Sequence, residues 1–257
     1  MVDSAFLRSI AAVAAAETLP RFRSNAAVSN KLDEGFDPVT LADEEAERAI
    51  RKLIEETFPD HGILGEELGA HRPDSRHVWV IDPIDGTRAF ISGLPVWGTL
   101  VGLLEDGDAI AGMMAQPFTG ELFLAAGEQA LYEGPGGPLP LRTRKTTNFA
   151  DAVLFTTSPH LYRAKERAAF ERLESGARLT RYGCDCYAFA MLAAGHIDIV
   201  VEPDLKPYDI VGLIPLIEQA GGTITRWDGA AAEQGGTVIA AATPELWEAA
   251  MGIINRA

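Results

Sequence analysis

Two carboxylates, Asp82 and Asp85, stand three residues apart in the run Val78-Trp79-Val80-Ile81-Asp82-Pro83-Ile84-Asp85-Gly86-Thr87. The four apolar residues before them, three of them β-branched, predict a buried strand, and residues 82–87 predict the turn that leaves its end. Neither acid can be buried without a cation or water, because a lone buried carboxylate carries a large desolvation cost. The Ile84 carbonyl lies between them in sequence, so the turn offers the hard oxygen ligands that a divalent metal takes. Gly86 lets the backbone approach a ligand closely, and the N–H groups of Gly86 and Thr87 would face a phosphate if a helix starts there. The plain alternative is an Asx turn capping a strand. The aspartyl-nucleophile pattern D-x-D-x-T fits poorly: its two acids are two apart and share one face of a strand end, whereas the spacing here is three.

Other acids stand where elements are expected to start or stop. Asp43 follows Thr40, which reads as a helix N-cap with Asp43, Glu44 and Glu45 in the first turn, so capping alone would account for it. Glu66 and Glu67 end a short apolar strand, where a solvated strand end is the alternative. Asp209, in Tyr208-Asp209-Ile210, stands at an N-cap position where the sequence turns apolar and helical. Asp43, Glu66, Asp82, Asp85 and Asp209 can meet only through tertiary folding, and spacing does not show that they do.

The elements that must place these acids can be read from periodicity. Phe6, Ile10 and Val13 predict a first amphipathic helix rather than a signal peptide, and a polar loop containing Lys31 spans 24–38. A second helix buries Ile50, Leu53 and Ile54. After the 82–87 turn, runs 99–104 and 109–114 about Asp106-Gly107 predict a hairpin, and 121–126 and 130–132 extend an antiparallel sheet. The first half thus reads as two helices on a meander. Residues 142–151 read as a further strand and linker, with a boundary near 150 that divides 1–150 from 151–257. The second half alternates strands with helices, among them 187–194 and 210–220, and closes with a helix capped by Thr243-Pro244. The fold class expected is α/β.

A chain of 257 residues, 47% hydrophobic and 23% charged, can bury a full core. Its net charge of -15 gives no basic stripe, which argues against nucleic acid or an anionic membrane as partner. An acidic chain that handles phosphate must bring positive charge locally, and a bound metal does so. Cys184 and Cys186, one residue apart, are poorly placed for a mutual disulfide, which fits a reducing cytoplasm. No apolar run approaches membrane-spanning length.

The blocks Phe36-Asp37-Pro38-Val39-Thr40-Leu41-Ala42-Asp43, Gly65-Glu66-Glu67, Trp79 to Thr87, and Tyr208-Asp209-Ile210 with Glu218-Gln219-Ala220-Gly221-Gly222 resemble, in order, the signatures of the inositol monophosphatase superfamily. The resemblance implies a layered αβαβα sandwich, a homodimer, and Mg2+-dependent hydrolysis of phosphate monoesters. It also implies Glu66, Asp82, the Ile84 carbonyl, Asp85 and Asp209 as metal ligands, and Thr87 with Asp43 as the pair that orients and deprotonates water. Glu67 would assist, and the backbone at Gly86 and Thr87 would hold the phosphate. Such chemistry needs no covalent intermediate. The sequence lacks the parts of rival mechanisms: a G-x-x-x-x-G-K-S/T loop, H-E-x-x-H, or an arginine six residues after either cysteine.

Within the superfamily, Thr87-Arg88-Ala89-Phe90, the run Gly183-Cys184-Asp185-Cys186-Tyr187-Ala188, and Glu202 ahead of Leu205-Lys206-Pro207-Tyr208-Asp209 resemble the histidinol-phosphate phosphatase branch. The substrate-binding set this implies is Asp85, Gly86, Thr87, Arg88, Cys184, Asp185, Glu202 and Asp209. Histidinol phosphate carries an ammonium and an imidazole, which the spare carboxylates Asp185 and Glu202 would match. A helix N-cap is the alternative for Asp185, a strand-end acid for Glu202, and a dimer contact or plain surface charge for Arg88. Rival readings are an inositol-1-phosphate or broad monoester phosphatase, and a non-catalytic member that binds a sugar phosphate.

Overall fold

The computed structural model describes residues 2–24, 28–30 and 38–256. Of the polar loop, residues 25–27 and 31–37, including Lys31, lie outside the described residues. The chain opens with α1 (Ser4–Thr18), an antiparallel pair of β1 (Val28–Asn30) and β2 (Pro38–Thr40), and α2 (Leu41–Thr57). There follow β3 (Gly62–Gly65), β4 (Gly69–His71), β5 (His77–Asp85) and the short α3 (Thr87–Ile91). Next are β6 (Gly98–Glu105), β7 (Asp108–Gln116), β8 (Glu121–Ala125), β9 (Leu131–Glu133) and β10 (Leu139–Pro140). The remainder holds β11 (Val153–Thr156), α4 (Ala164–Gly176), β12 (Leu179–Tyr182), α5 (Asp185–Ala193), β13 (Ile199–Leu205), α6 (Pro207–Ile210) and α7 (Ile214–Gln219). It ends with β14 (Thr223–Arg226), β15 (Gly236–Ala241) and α8 (Pro244–Ile254).

Beside the β1–β2 pair, the described residues form an eight-stranded sheet in the order β10-β9-β8-β7-β6-β5-β3-β4 and a five-stranded one in the order β12-β11-β13-β15-β14. Helices α1 and α2 cover one face of the large sheet, α5 and α7 lie between the sheets, and α4 with α8 cover the outer face of the small one. The architecture is therefore α/β, layered αβαβα. The layering follows from where apolar surface lies. On α1 and α2 it is a stripe, Leu7, Ile10 and Ala14 with Ile50 and Ile54, packed on Trp79, Ile81, Val101 and Leu103. On α5 it is nearly all round, from Cys186 through Ala188, Phe189, Ala190 and Leu192, and such a helix is stable only with a sheet on either side. One core joins Leu100, Met114 and Phe123 of the large sheet through Phe189 and Leu216 to Val200 and Ala240 of the small one. Each of these side chains larger than alanine contributes roughly 1.5–3 kcal/mol by leaving water. No described helix is long and apolar enough to cross a membrane.

The structure corrects several expected elements. The first half is more than a meander, because β3 pairs parallel to β5. Strand β4, an exposed Gly-Ala-His at the edge, has no apolar alternation to announce it. Residues 142–148 join no ladder; instead the Leu141 N–H donates to the Ala130 carbonyl and the Thr143 N–H to Ala220 at the end of α7. The expected helix 210–220 is two helices, α6 and α7. Pro215 has no N–H to donate to the Val211 carbonyl, so the helix restarts around it. Gly212 in the break packs on β6 and β7 so closely that a Cβ on Gly112 would lie 2.2 Å from its carbonyl oxygen. This contact fixes the height of α6, and hence of Asp209, over the large sheet.

Candidate active site

The placement of Asp82 and Asp85 rests on a bulge. Along β5 and β6, Asp82 pairs with Leu100 and Asp85 with Gly98, so three steps on one strand oppose two on the other. The extra residue resets the alternation and lets acids at odd spacing serve one site. The Pro83 carbonyl at the bulge accepts a hydrogen bond from Thr99 Oγ1 at 2.8 Å. Asp82 Oδ1 accepts the Ile84 N–H at 3.0 Å, so the Asx turn is present, and it uses one oxygen only. Asp85 Oδ2 accepts the Cys186 N–H at 2.7 Å, which ties the turn to the start of α5.

Asp209 arrives from α6, where its Oδ2 accepts the Lys206 N–H at 2.7 Å. Asp82, Asp85 and Asp209 each bring a carboxylate oxygen within 4.8 Å of the other two. Asp82 is 1% exposed, and every influence on it opposes ionisation: burial first, then the charges of Glu66, Asp85 and Asp209. Asp85 is likewise raised by burial and by Asp185 and Asp209. Asp209 is pushed up to about 7, chiefly by burial; the Lys206 N–H opposes and Glu66 adds. Acids that repel one another, Asp82 buried and Asp85 and Asp209 half-buried, call for a cation among them, and an all-oxygen donor set of carboxylates suits a hard divalent metal.

Beside this cluster, Thr87 begins α3. Its hydroxyl donates to the Ile84 carbonyl at 3.0 Å and lies 3.5 Å from Asp43 Oδ1. Asp43, 1% exposed, caps α2 as the sequence suggests, taking the Thr40 N–H at 2.8 Å and the Thr40 hydroxyl at 2.6 Å on Oδ2. Burial raises its carboxyl. Oδ1 therefore stays turned toward Thr87, so one side chain serves the cap and the site together. Gly86, at φ 81°, has the left-handed conformation that glycine tolerates, and a Cβ there would meet the Asp185 side chain at 3.1–3.2 Å.

These groups border an open cavity of about 590 Å3. Glu66, Asp82, Ile84, Asp85, Gly86, Thr87, Arg88 and Asp209 line it on one side, and Asp185 and Glu202 line it as well. Asp43 stands behind Thr87. Two further candidates lie off the cavity lining: Glu67, half-exposed, whose N–H donates to Glu47, and Cys184, half-buried, in the N-cap position of α5. Asp185 is the first residue of α5, with a left-handed φ of 44°; Cys184 takes the N-cap position, and no side chain caps the helix there. Glu202, 3% exposed on β13, accepts the Thr157 N–H, and Thr157 Oγ1 lies 3.5 Å from Asp185 Oδ1. Burial is the main cause that pushes Glu202 up to about 8 and that raises Asp185.

Sequence reasoning missed three contributors. The Cys186 N–H holds Asp85, but a backbone donor leaves no mark in a side-chain pattern. Thr157 ties Glu202 to Asp185 from the end of β11. Glu47 had a visible signal: it falls four residues after Asp43 on the helix face that buries Ile50 and Ile54.

Comparison with known proteins bears on this geometry. The profile of the Inositol monophosphatase family matches residues 3–256. The chloroplastic bifunctional phosphatase IMPL2 of Arabidopsis thaliana is 43% identical over 211 residues, covering 81% of this chain and 59% of the relative's own length. A histidinol-phosphatase of Chlorobaculum parvum is 35% identical over 200 residues, 78% of this chain and 76% of that protein. Among solved structures, an inositol monophosphatase from Zymomonas mobilis superposes with a TM-score of 0.87 at 37% identity, covering 98% of this chain and 96% of that one.

Proposed function

The chain belongs to the inositol monophosphatase family, and from that premise we propose that it is a Mg2+-dependent phosphate monoester hydrolase whose substrate is L-histidinol phosphate. The observation that carries the narrower claim is a pair of acids, Glu202 buried and Asp185 half-buried, in the cavity that also holds the Asp82, Asp85 and Asp209 cluster. Inositol phosphate presents only hydroxyls beyond its phosphate. Histidinol phosphate presents an ammonium and an imidazole, and a charge-assisted hydrogen bond to each would offset the burial of Glu202 and the partial burial of Asp185. Relatives named histidinol-phosphatase support the same reading.

The residues that would hold magnesium are Glu66, Asp82, Asp85 and Asp209 through carboxylates and Ile84 through its carbonyl. When bound, the ion supplies positive charge for the phosphoryl oxygens and the acidity that ionises water near neutral pH. The rest of the chemistry falls to the chain. Thr87 Oγ1 accepts a hydrogen bond from the attacking water and directs it at phosphorus. Its own proton turns from the Ile84 carbonyl toward Asp43 Oδ1 as the water deprotonates. Asp43, whose carboxyl burial already favours protonation, takes up that proton on Oδ1 while Thr87 Oγ1 receives the one that leaves the water. The backbone N–H groups of Gly86 and Thr87 hold the phosphoryl oxygens, and Arg88 neighbours Asp185 at the cavity. The reading places the metal ligands mostly in 1–150 and the substrate groups with Asp209 in 151–257. It includes a homodimer in a reducing cytoplasm, in keeping with two free thiols.

An inositol-1-phosphate phosphatase is the second reading, favoured by the Zymomonas structure that matches nearly end to end. Phosphate release from both esters separates them. Two charge-assisted contacts at roughly 1.5 kcal/mol or more each predict kcat/KM at least about 100-fold higher for histidinol phosphate. A value for inositol 1-phosphate equal to or above it overturns the proposal.

A further inference from the structure

Glu47 is a fully buried acid that the proposed chemistry does not use. It sits on α2 one turn after Asp43, so the two side chains share a face. Asp43 reaches the 84–87 turn; Glu47 reaches the segment just after β3. Its Oε2 accepts the Glu67 N–H at 2.8 Å and its Oε1 the Leu68 N–H at 3.2 Å. Arg51 Nε donates to Oε1 at 2.7 Å, and the same guanidinium also binds the Gly69 carbonyl. On the other side of the turn, the Glu66 N–H donates to the Ile81 carbonyl at 3.1 Å. Gly65 completes the arrangement, because a Cβ there would lie 1.9 Å from Glu47 Oε1. The position is glycine so that the carboxylate can occupy that space.

We propose that Glu47 is a positioning residue for the Glu66 carboxylate, an inference that rests on the metal centre proposed above. Glu66 lies against Asp82 and Asp209, which its charge repels. A ligand under such repulsion stays in place only if its backbone is fixed. Residues 66–68 form the hairpin turn between β3 and β4, which the Gly65–Gly69 pair closes, but the ladder offers no acceptor to the N–H groups of residues 67 and 68 inside it. Glu47 supplies acceptors for the two N–H groups that come next, and Arg51 neutralises the buried carboxylate that does so. The helix face of α2 thus fixes both segments, the proton acceptor through residue 43 and the metal ligand through residue 47.

The test is Mg2+ or Mn2+ binding by isothermal titration calorimetry on Glu47→Gln, Gly65→Ala and Glu66→Gln, with Arg48→Gln as an exposed control on the same helix. Glutamine keeps the volume of Glu47 but offers one acceptor instead of two, and alanine at 65 displaces the carboxylate without touching a proposed ligand. Glu47→Gln and Gly65→Ala are expected to weaken metal binding about 10- to 100-fold, the usual effect of removing a group that orients a ligand. Their kcat is expected to return to within about two-fold of wild type when Mg2+ is raised to saturation, since the reacting groups are intact. Wild-type metal affinity in both variants, with Glu66→Gln weakened, overturns the inference and leaves the metal centre standing. Wild-type affinity in Glu66→Gln overturns the metal assignment itself. If Glu47→Gln and Gly65→Ala both lose their circular dichroism signal in chelator, Glu47 serves the fold alone and the inference falls.

Discussion

Replacing Glu202 by glutamine should change how stability depends on pH. The carboxyl is 3% exposed and is pushed from 4.5 up to about 8, first by burial; the Thr157 N–H opposes, and the charges of Asp185 and Asp85 add. An acid whose pKa rises on folding favours the protonated native state. Its contribution is fully present below pH 4.5, falls once the unfolded carboxyl ionises, and is lost as pH passes 8. The whole gap corresponds to about 5 kcal/mol, of which roughly half falls between pH 6 and pH 9. Glutamine cannot ionise, and its carbonyl can still accept the Thr157 N–H. Urea unfolding of wild type and Glu202→Gln, in chelator so that metal does not intervene, should show the variant gaining about 2–3 kcal/mol on wild type over that range. Subtraction removes the acids that do not interact with Glu202, which titrate alike in both proteins. A difference that stays constant to within about 0.5 kcal/mol from pH 6 to pH 9 would refute the argument that burial holds this group neutral. The same carboxyl must ionise to receive a cation, so KM for histidinol phosphate should fall as pH rises from 6 to 8, and Glu202→Gln should remove that trend.

Asp85→Asn keeps the Cys186 N–H contact but removes charge from the cluster; phosphate release at fixed Mg2+ should drop by about 100-fold or more, and an unchanged rate would discard Asp85 as a ligand. Chelation of the wild type should abolish the same release and added Mg2+ should restore it, whereas full activity in chelator would remove the metal from the mechanism. Gly112→Ala forces a Cβ to 2.2 Å from the Gly212 carbonyl oxygen, where backbone faces backbone. Overpacking of this kind costs about 1–3 kcal/mol, so the melting temperature should fall by roughly 2–10 °C, and an unmoved melting curve would show that the α6–α7 break can shift off the sheet.

Much of the site was legible because it is written in local chemistry. Residues 78–81 are buried strand as their β-branched side chains require, although the strand runs on through Asp85 where the sequence predicts a turn from residue 82, and Thr40 caps α2 through Asp43 because a capping box needs only neighbours in sequence. The order of the four acidic blocks and the α/β layering follow from the same near-neighbour patterns. What sequence could not supply was direction. Alternation sends acids three apart to opposite faces of a strand, and only the ladder with β6 reveals the bulge that reverses this for Asp85. The Cys186 N–H that holds Asp85 is 101 residues away, and the break that sets the height of Asp209 depends on Gly102, Gly112 and Gly212 meeting across layers. Glu47 shows the boundary between the two kinds of information. Its residue type and helical phase are in the sequence, but its task became visible only when the 66–68 turn came to rest on it. Periodicity fixes which face of an element is apolar; which acid meets which is decided by how the layers pack, because contacts between distant residues exist only after the core has closed.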